Sequence, residues 1–198
     1  MFLKNYFFKE KLKQNSYFIW NSQKKNIQTI KQFKPIDLEL IIGVDYQKEI
    51  LIKNTTNFAE GNFTNNALLW GARGNGKSSL IKSVFNKILI SYKNLKLIQL
   101  NKNDIFDIEY IYSILGKYNV FSFIIFIDDL SFEKIDSDYK IIKSTLDGSI
   151  QNQPTNILLY VSSNRRHLMP RDMIDNERSS AIHTDESVEE KISLSDTL

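Results

Sequence analysis

Gly71, Gly76, Lys77 and Ser78 stand in the segment GARGNGKS at the spacing G-x-x-x-x-G-K-[ST]. Glycines at such positions let successive backbone N–H groups curl around phosphate oxygens, and a helix starting there adds the positive end of its dipole. A lysine after the last glycine reaches β- and γ-phosphates, and the adjoining hydroxyl enters a Mg²⁺ shell. The expected phosphate-binding set is Gly71, Ala72, Arg73, Gly74, Asn75, Gly76, Lys77, Ser78 and Ser79, with Ser78 also a metal ligand. Three of the seven glycines lie between positions 71 and 76, a density that a simple turn does not require. The chemistry implied is the binding of a nucleoside triphosphate, ATP with Mg²⁺.

Two further strand ends carry suitable groups. The run FIIFIDDL leaves its apolar stretch at Asp128, the expected Mg²⁺ ligand, and continues with Asp129, placed to orient an attacking water. The run ILLYV leads to Ser162, Ser163 and Asn164, and the Asn164 amide would reach the same water or the γ-phosphate. A lone Asn at such a place can equally be a turn residue or a cap. Lysines outnumber arginines 21 to 5, yet Arg165, Arg166, Arg171 and Arg178 fall together. Their planar forks suit phosphate, or they pair with Asp172, Asp175 and Glu177.

These groups need elements to hold them. Ala67 to Trp70 is a short apolar run that stops at Gly71, and from Lys77 to about Ser91 apolar residues recur every three or four positions. That predicts strand, glycine loop, helix. Leu95 to Leu100 and Ile157 to Val161 predict further strands, and Phe121 to Ile127 is apolar on both sides, as a central strand must be. Helices are expected over Asp45 to Phe58, Asp107 to Lys117 and Asp138 to Ile150. Alternating strands and helices imply an α/β fold of three layers around a mainly parallel sheet.

Composition narrows the options. With 42% hydrophobic residues in 198, one sizeable core is expected. Zero cysteines exclude a thiol nucleophile or a cysteine-ligated metal, leaving only His167 and His183 beside oxygen ligands. No apolar stretch reaches the roughly 18 residues of a membrane span, and MFLKNYFFKEKLK is broken by lysines where a signal peptide would be apolar, so a cytoplasmic location is expected. Residues 1–34 carry eight lysines and one acid. Interleaved with Phe7, Phe8, Tyr17, Phe18 and Trp20, they form either a basic arm for nucleic acid or anionic lipid, or a solvated, partly helical extension of a core beginning at residue 35.

The order of these motifs resembles the AAA+ branch of P-loop ATPases, where they are called Walker A, Walker B and sensor 1. More narrowly, NNALLWGARGNGKSSL, FIDDLSFE, LLYVSSNRRHLMP and VEEKISLSD resemble the bacterial AAA+-like family catalogued as domain of unknown function 815. With IIGVDYQKEIL and NTTNFAEGN, the resemblance covers roughly residues 38 to 196. It implies that Asp128 and Asp129 are the Walker B acids, Asn164 the sensor, and Ile41 to Val44 the lining of an adenine pocket. Most AAA+ proteins have Glu where Asp129 stands, which brings in Glu133 as a second candidate base. The resemblance further implies ATP hydrolysis coupled to remodelling a partner by a homo-oligomer, with a loader acting on nucleic acid or a small-molecule kinase as alternatives. Family members continue past SLSD with Arg-Phe-Gly, a fifth strand and a helical lid, whereas Thr197 and Leu198 follow here. A shortened core is the expectation, lacking lid, second sensor and one arginine finger. The first P-loop strand should then lie beside the fourth with its other side open.

Overall fold

The computed structural model describes residues 2–131 and 153–164. Within them a six-stranded sheet runs in the order β2-β1-β4-β5-β6-β3. Its strands are β1 (Tyr17–Asn21), β2 (Asn26–Thr29), β3 (Ala67–Trp70), β4 (Leu95–Leu100), β5 (Ser122–Ile127) and β6 (Ile157–Ser163). The helices are α1 (Phe2–Gln14), α2 (Asp45–Ala59), α3 (Lys77–Leu89) and α4 (Ile108–Leu115), the last preceded by a 3-10 turn over Lys102–Asp107. All strand pairs are parallel except the β1–β2 hairpin.

The three layers follow from the period of two in the central strands. Phe123, Ile125 and Ile127 of β5 join Ile157, Leu159 and Val161 of β6 on one face, against α4. Ile124, Phe126, Leu158 and Tyr160 project to the other, against Leu51 and Phe58 of α2 and the apolar side of α3. Both faces being covered, the strands read as continuous apolar runs rather than alternating ones. The expected helix over residues 138–150 lies outside the described residues.

The expected boundary at residue 34 is corrected by the sheet itself. The amino-terminal segment builds α1, β1 and β2, and β1 pairs in parallel with β4 through Tyr17↔Leu97 and Ile19↔Gln99. Phe18, Trp20, Ile27 and Leu12 are buried in the same core as α4. Trp20 Nε1 donates to Asp107 Oδ2 at 2.8 Å, and Lys25 from the hairpin turn pairs with the other oxygen of that carboxylate. Apolar burial outweighs the charge pattern here, because the lysines fall on α1, in the hairpin turn and after β2, leaving both strands free of charge. Two of the aromatics that would stack on bases, Phe18 and Trp20, are thereby core residues.

The hairpin covers the far edge of the sheet, beyond β4, and not the edge at β3. Among the described residues β3 pairs with β6 alone, through Ala67↔Tyr160 to Trp70↔Ser163. That is the neighbour the resemblance implied.

Lys96 on β4 is 1% exposed, with Nζ donating to Lys93 O at 2.8 Å and lying 5.4 Å from the centroid of Phe121. Burial pulls its pKa down from 10.5 to about 8. Between these values the unfolded chain holds the proton that the folded one has released, so stability contributed by this group rises with pH across about 8 to 10.5. In Lys96→Met this rise should flatten, which urea denaturation of both proteins at the two ends of that window measures.

Candidate functional site

The glycine loop begins where β3 ends. Gly74 and Gly76 have φ of 87° and 76°, a left-handed region in which a side chain would be strained, so the loop can turn tightly into α3. Gly76 caps α3 without a side-chain hydrogen bond. The N–H groups of the first turn, from Lys77 to Ser79, therefore have no intrahelical carbonyl and face outward to an anion. Arg73, Gly74, Gly76, Lys77, Ser78 and Ser79 line one side of a cavity of about 320 Å³. Asp128, Asp129, Ser162 and Asn164 line the other.

Lys77 Nζ donates to the carbonyls of Gly71 and Ala72 at 2.8 Å each and to Asn164 Oδ1 at 3.1 Å. These bonds use all three ammonium hydrogens and hold the charge over the loop. Asn164 is thus bridged, because its Nδ2 also donates to Asp129 Oδ1. Ser78 Oγ donates to Asp128 Oδ1, which accepts as well from Ser162 Oγ at 2.6 Å. Asp129 leaves the strand with φ 53°, a left-handed conformation that costs a non-glycine residue about 1–2 kcal/mol. The Asp129 N–H donates to Ser162 Oγ at 2.9 Å, which helps to hold the turn that sets the two acids side by side.

The donor set suits a hard cation: a hydroxyl from Ser78 and a carboxylate from Asp128, on neighbouring elements and already hydrogen-bonded to each other. No group of three or more His, Cys, Asp or Glu is present among the described residues. Mg²⁺ does not need one, since it keeps waters and takes phosphate oxygens alongside one or two protein ligands.

A second cavity, of about 260 Å³, is lined mainly by apolar groups, among them Val44, Ile50, Leu51, Leu68, Leu69 and Leu80, with Gln47, Asn75 and Lys77 as polar members of its lining. Of Ile41 to Val44, the segment expected to line an adenine pocket, Val44 lines this cavity, Ile41 packs against the adjoining core and Ile42 is 85% exposed. The reason is the 3-10 turn at Leu38–Leu40, which anchors Leu38 in the core and leaves Ile42 outside.

Residues expected from sequence divide accordingly. The structure brings together Arg73, Gly74, Gly76 to Ser79, Asp128, Asp129 and Asn164, places Asn75 on the apolar side, and uses Gly71 and Ala72 as carbonyl acceptors for Lys77. Glu133 and the arginines at 165, 166, 171 and 178 lie outside the described residues. Two site residues had no sequence signal of their own. The apolar run ILLYV places Ser162 beyond the strand, but β6 continues to Ser163. Lys82, one turn along α3 from Ser78, places Nζ 3.9 Å from Asp128 Oδ2 and 5.5 Å from the Phe126 ring centroid.

A mainly parallel sheet whose adjacent strand ends present this loop, these acids and this amide has the α/β architecture of a P-loop domain. The chain belongs to the family described as "Protein of unknown function (DUF815)", whose model matches residues 13–198. That match begins inside α1 and so takes in the hairpin. Similar solved structures include C. elegans PCH-2, at 17% identity over 71% of this chain and 42% of that one, with a TM-score of 0.48. Another is the Thermotoga maritima RuvB Holliday junction branch migration motor, at 18% identity over 71% and 45%, with a TM-score of 0.47. A third is the FIGL-1 AAA domain in complex with ADP, at 15% identity over 71% and 52%, with a TM-score of 0.49. The chain spans about half the length of these structures. No curated protein matches it. Among the described residues no helix is long and apolar enough to cross a membrane.

Proposed function

We propose that this chain binds ATP with Mg²⁺ in the cavity between the glycine loop and the ends of β5 and β6. The observation that carries this reading is the convergence on one cavity of Lys77, Ser78, Asp128, Asp129 and Asn164, which come from three separate sequence segments. The first-turn N–H groups of α3 and the Lys77 ammonium take the β- and γ-phosphates, and the apolar cavity beside Val44 and Leu51 takes the base. Ser78 and Asp128 would hold Mg²⁺, which neutralises phosphate charge when bound. Asp129 accepts a proton from, or orients, the attacking water, and Asn164 keeps the Asp129 carboxylate turned towards Lys77 through its two hydrogen bonds.

Hydrolysis at this site, coupled to remodelling a partner by a homo-oligomer, is the wider reading that the family resemblance supports. A nucleic-acid-acting role is weakened, since stacking needs exposed rings and two of the five candidate aromatics, Phe18 and Trp20, are buried.

Asp128→Asn tests the metal side. It keeps the shape and a hydrogen-bond acceptor but removes the charge. Mg²⁺ titrated into protein with ATP is expected to bind at least tenfold more weakly, a loss of about 1.4 kcal/mol or more. An unchanged Mg²⁺ midpoint in a folded variant would remove Asp128 from the metal site.

A further inference from the structure

We infer that Ser162 is a positioning residue that sets both site acids from the neighbouring strand, an inference that rests on the nucleotide reading above.

A serine hydroxyl has one hydrogen to donate and lone pairs to accept with. At Ser162 each faces a different acid: the hydrogen goes to Asp128 Oδ1 at 2.6 Å, and the oxygen accepts the Asp129 N–H at 2.9 Å. The backbone carbonyl of the same residue accepts the Leu130 N–H at 2.8 Å. Three consecutive residues after β5 are therefore held by one residue of β6. Ser162 is 1% exposed, so water does not compete for its hydroxyl.

The placement also joins the acids to the loop. Ser162 is in register with Leu69 of β3, two residues before Gly71, and its Oγ lies 3.4 Å from Ser78 Oγ. Two hydroxyls thus converge on Asp128 Oδ1, while Oδ2 faces the Lys82 ammonium. The carboxylate is fixed by partners on both oxygens. Taking away the Ser162 hydroxyl leaves Asp128 Oδ1 with Ser78 as its one hydroxyl partner and the Asp129 N–H without its acceptor. The backbone bond to Leu130 and the strand pairing do not depend on the side chain, so the loss should fall on the acids more than on the fold. Outer-sphere partners of this kind typically change metal affinity by about 10- to 100-fold when removed.

The experiment compares ATP affinity in Mg²⁺ with ATP affinity in EDTA, by calorimetry, for the parent chain and for Ser162→Ala, Ser162→Val and Ser162→Thr. The ratio of the two affinities isolates the metal contribution from any general loosening of the pocket. In Ser162→Ala this ratio is expected to fall about tenfold, the lower end for such partners. Thr and Val have nearly the same shape and differ by the hydroxyl, so Thr should restore the parental ratio and Val should not. That pair keeps the test decisive if the Ala variant is poorly folded. A parental ratio in Ala and Val would overturn the positioning role, as would equal losses in Thr and Val. Absence of ATP binding by the parent chain itself would instead overturn the nucleotide reading, and this inference with it.

Discussion

Lys77→Ala is expected to abolish ATP binding in the working concentration range while leaving the chain folded. Lys77 carries the ammonium poised over the loop carbonyls, and phosphate charge beside the first turn of α3 would be left uncompensated without it. By analogy with truncating one member of a desolvated charge pair, the loss is roughly 3 kcal/mol or more, above a hundredfold in affinity. The fold should tolerate the change, because the Lys77 partners are loop carbonyls and the exposed Asn164 rather than core groups, and substitutions at such positions usually stay within about 0.5 kcal/mol. Calorimetry and a thermal melt on the same sample separate the two effects. Unchanged ATP affinity in the folded variant would remove the loop from the account.

The second large effect lies at the opposite edge of the sheet. Trp20→Ala should cost about 3–5 kcal/mol, the range for truncating a buried aromatic, because the indole is 3% exposed and holds the Asp107 carboxylate. For a domain of this size each kcal/mol lowers the melting temperature by roughly 2–4 °C, so a drop on the order of 10 °C is expected. Lys24→Gln, in the exposed part of the same hairpin, should change stability by less than about 0.5 kcal/mol. A parental melting temperature for Trp20→Ala would mean that the hairpin is not part of the core.

The contrast between those two sites shows what the sequence made legible. The loop, the helix from Lys77 and the buried run ending at Asp128 could be read because each signal is local: a fixed glycine spacing, a helical period, an apolar stretch too short for a helix. The hairpin could not. Its alternation is confined to five residues, YFIWN, in lysine-rich surroundings, and its partner strand β4 lies some 80 positions away, as Phe18↔Ile98 shows. Charge composition suggested an arm where non-local burial of Phe18 and Trp20 decides the structure. Ser162 was hidden for a related reason. Its polar type suggested that the strand had ended, whereas register with Leu69 keeps it inside β6 and turns its hydroxyl on the acids. Within Ile41–Val44 the sequence did not show which side chains face inward: beside the 3-10 turn Ile41 and Val44 pack against the core and Ile42 is exposed.

The central claim, that this cavity takes a nucleoside triphosphate with its metal, is tested most directly by titrating ATP into the unmodified chain by calorimetry, with and without Mg²⁺. The account predicts saturable binding at one site, with a dissociation constant below about 1 mM that tightens when Mg²⁺ is present. No saturable heat and no rise in melting temperature at millimolar ATP, with Mg²⁺ present, would contradict it.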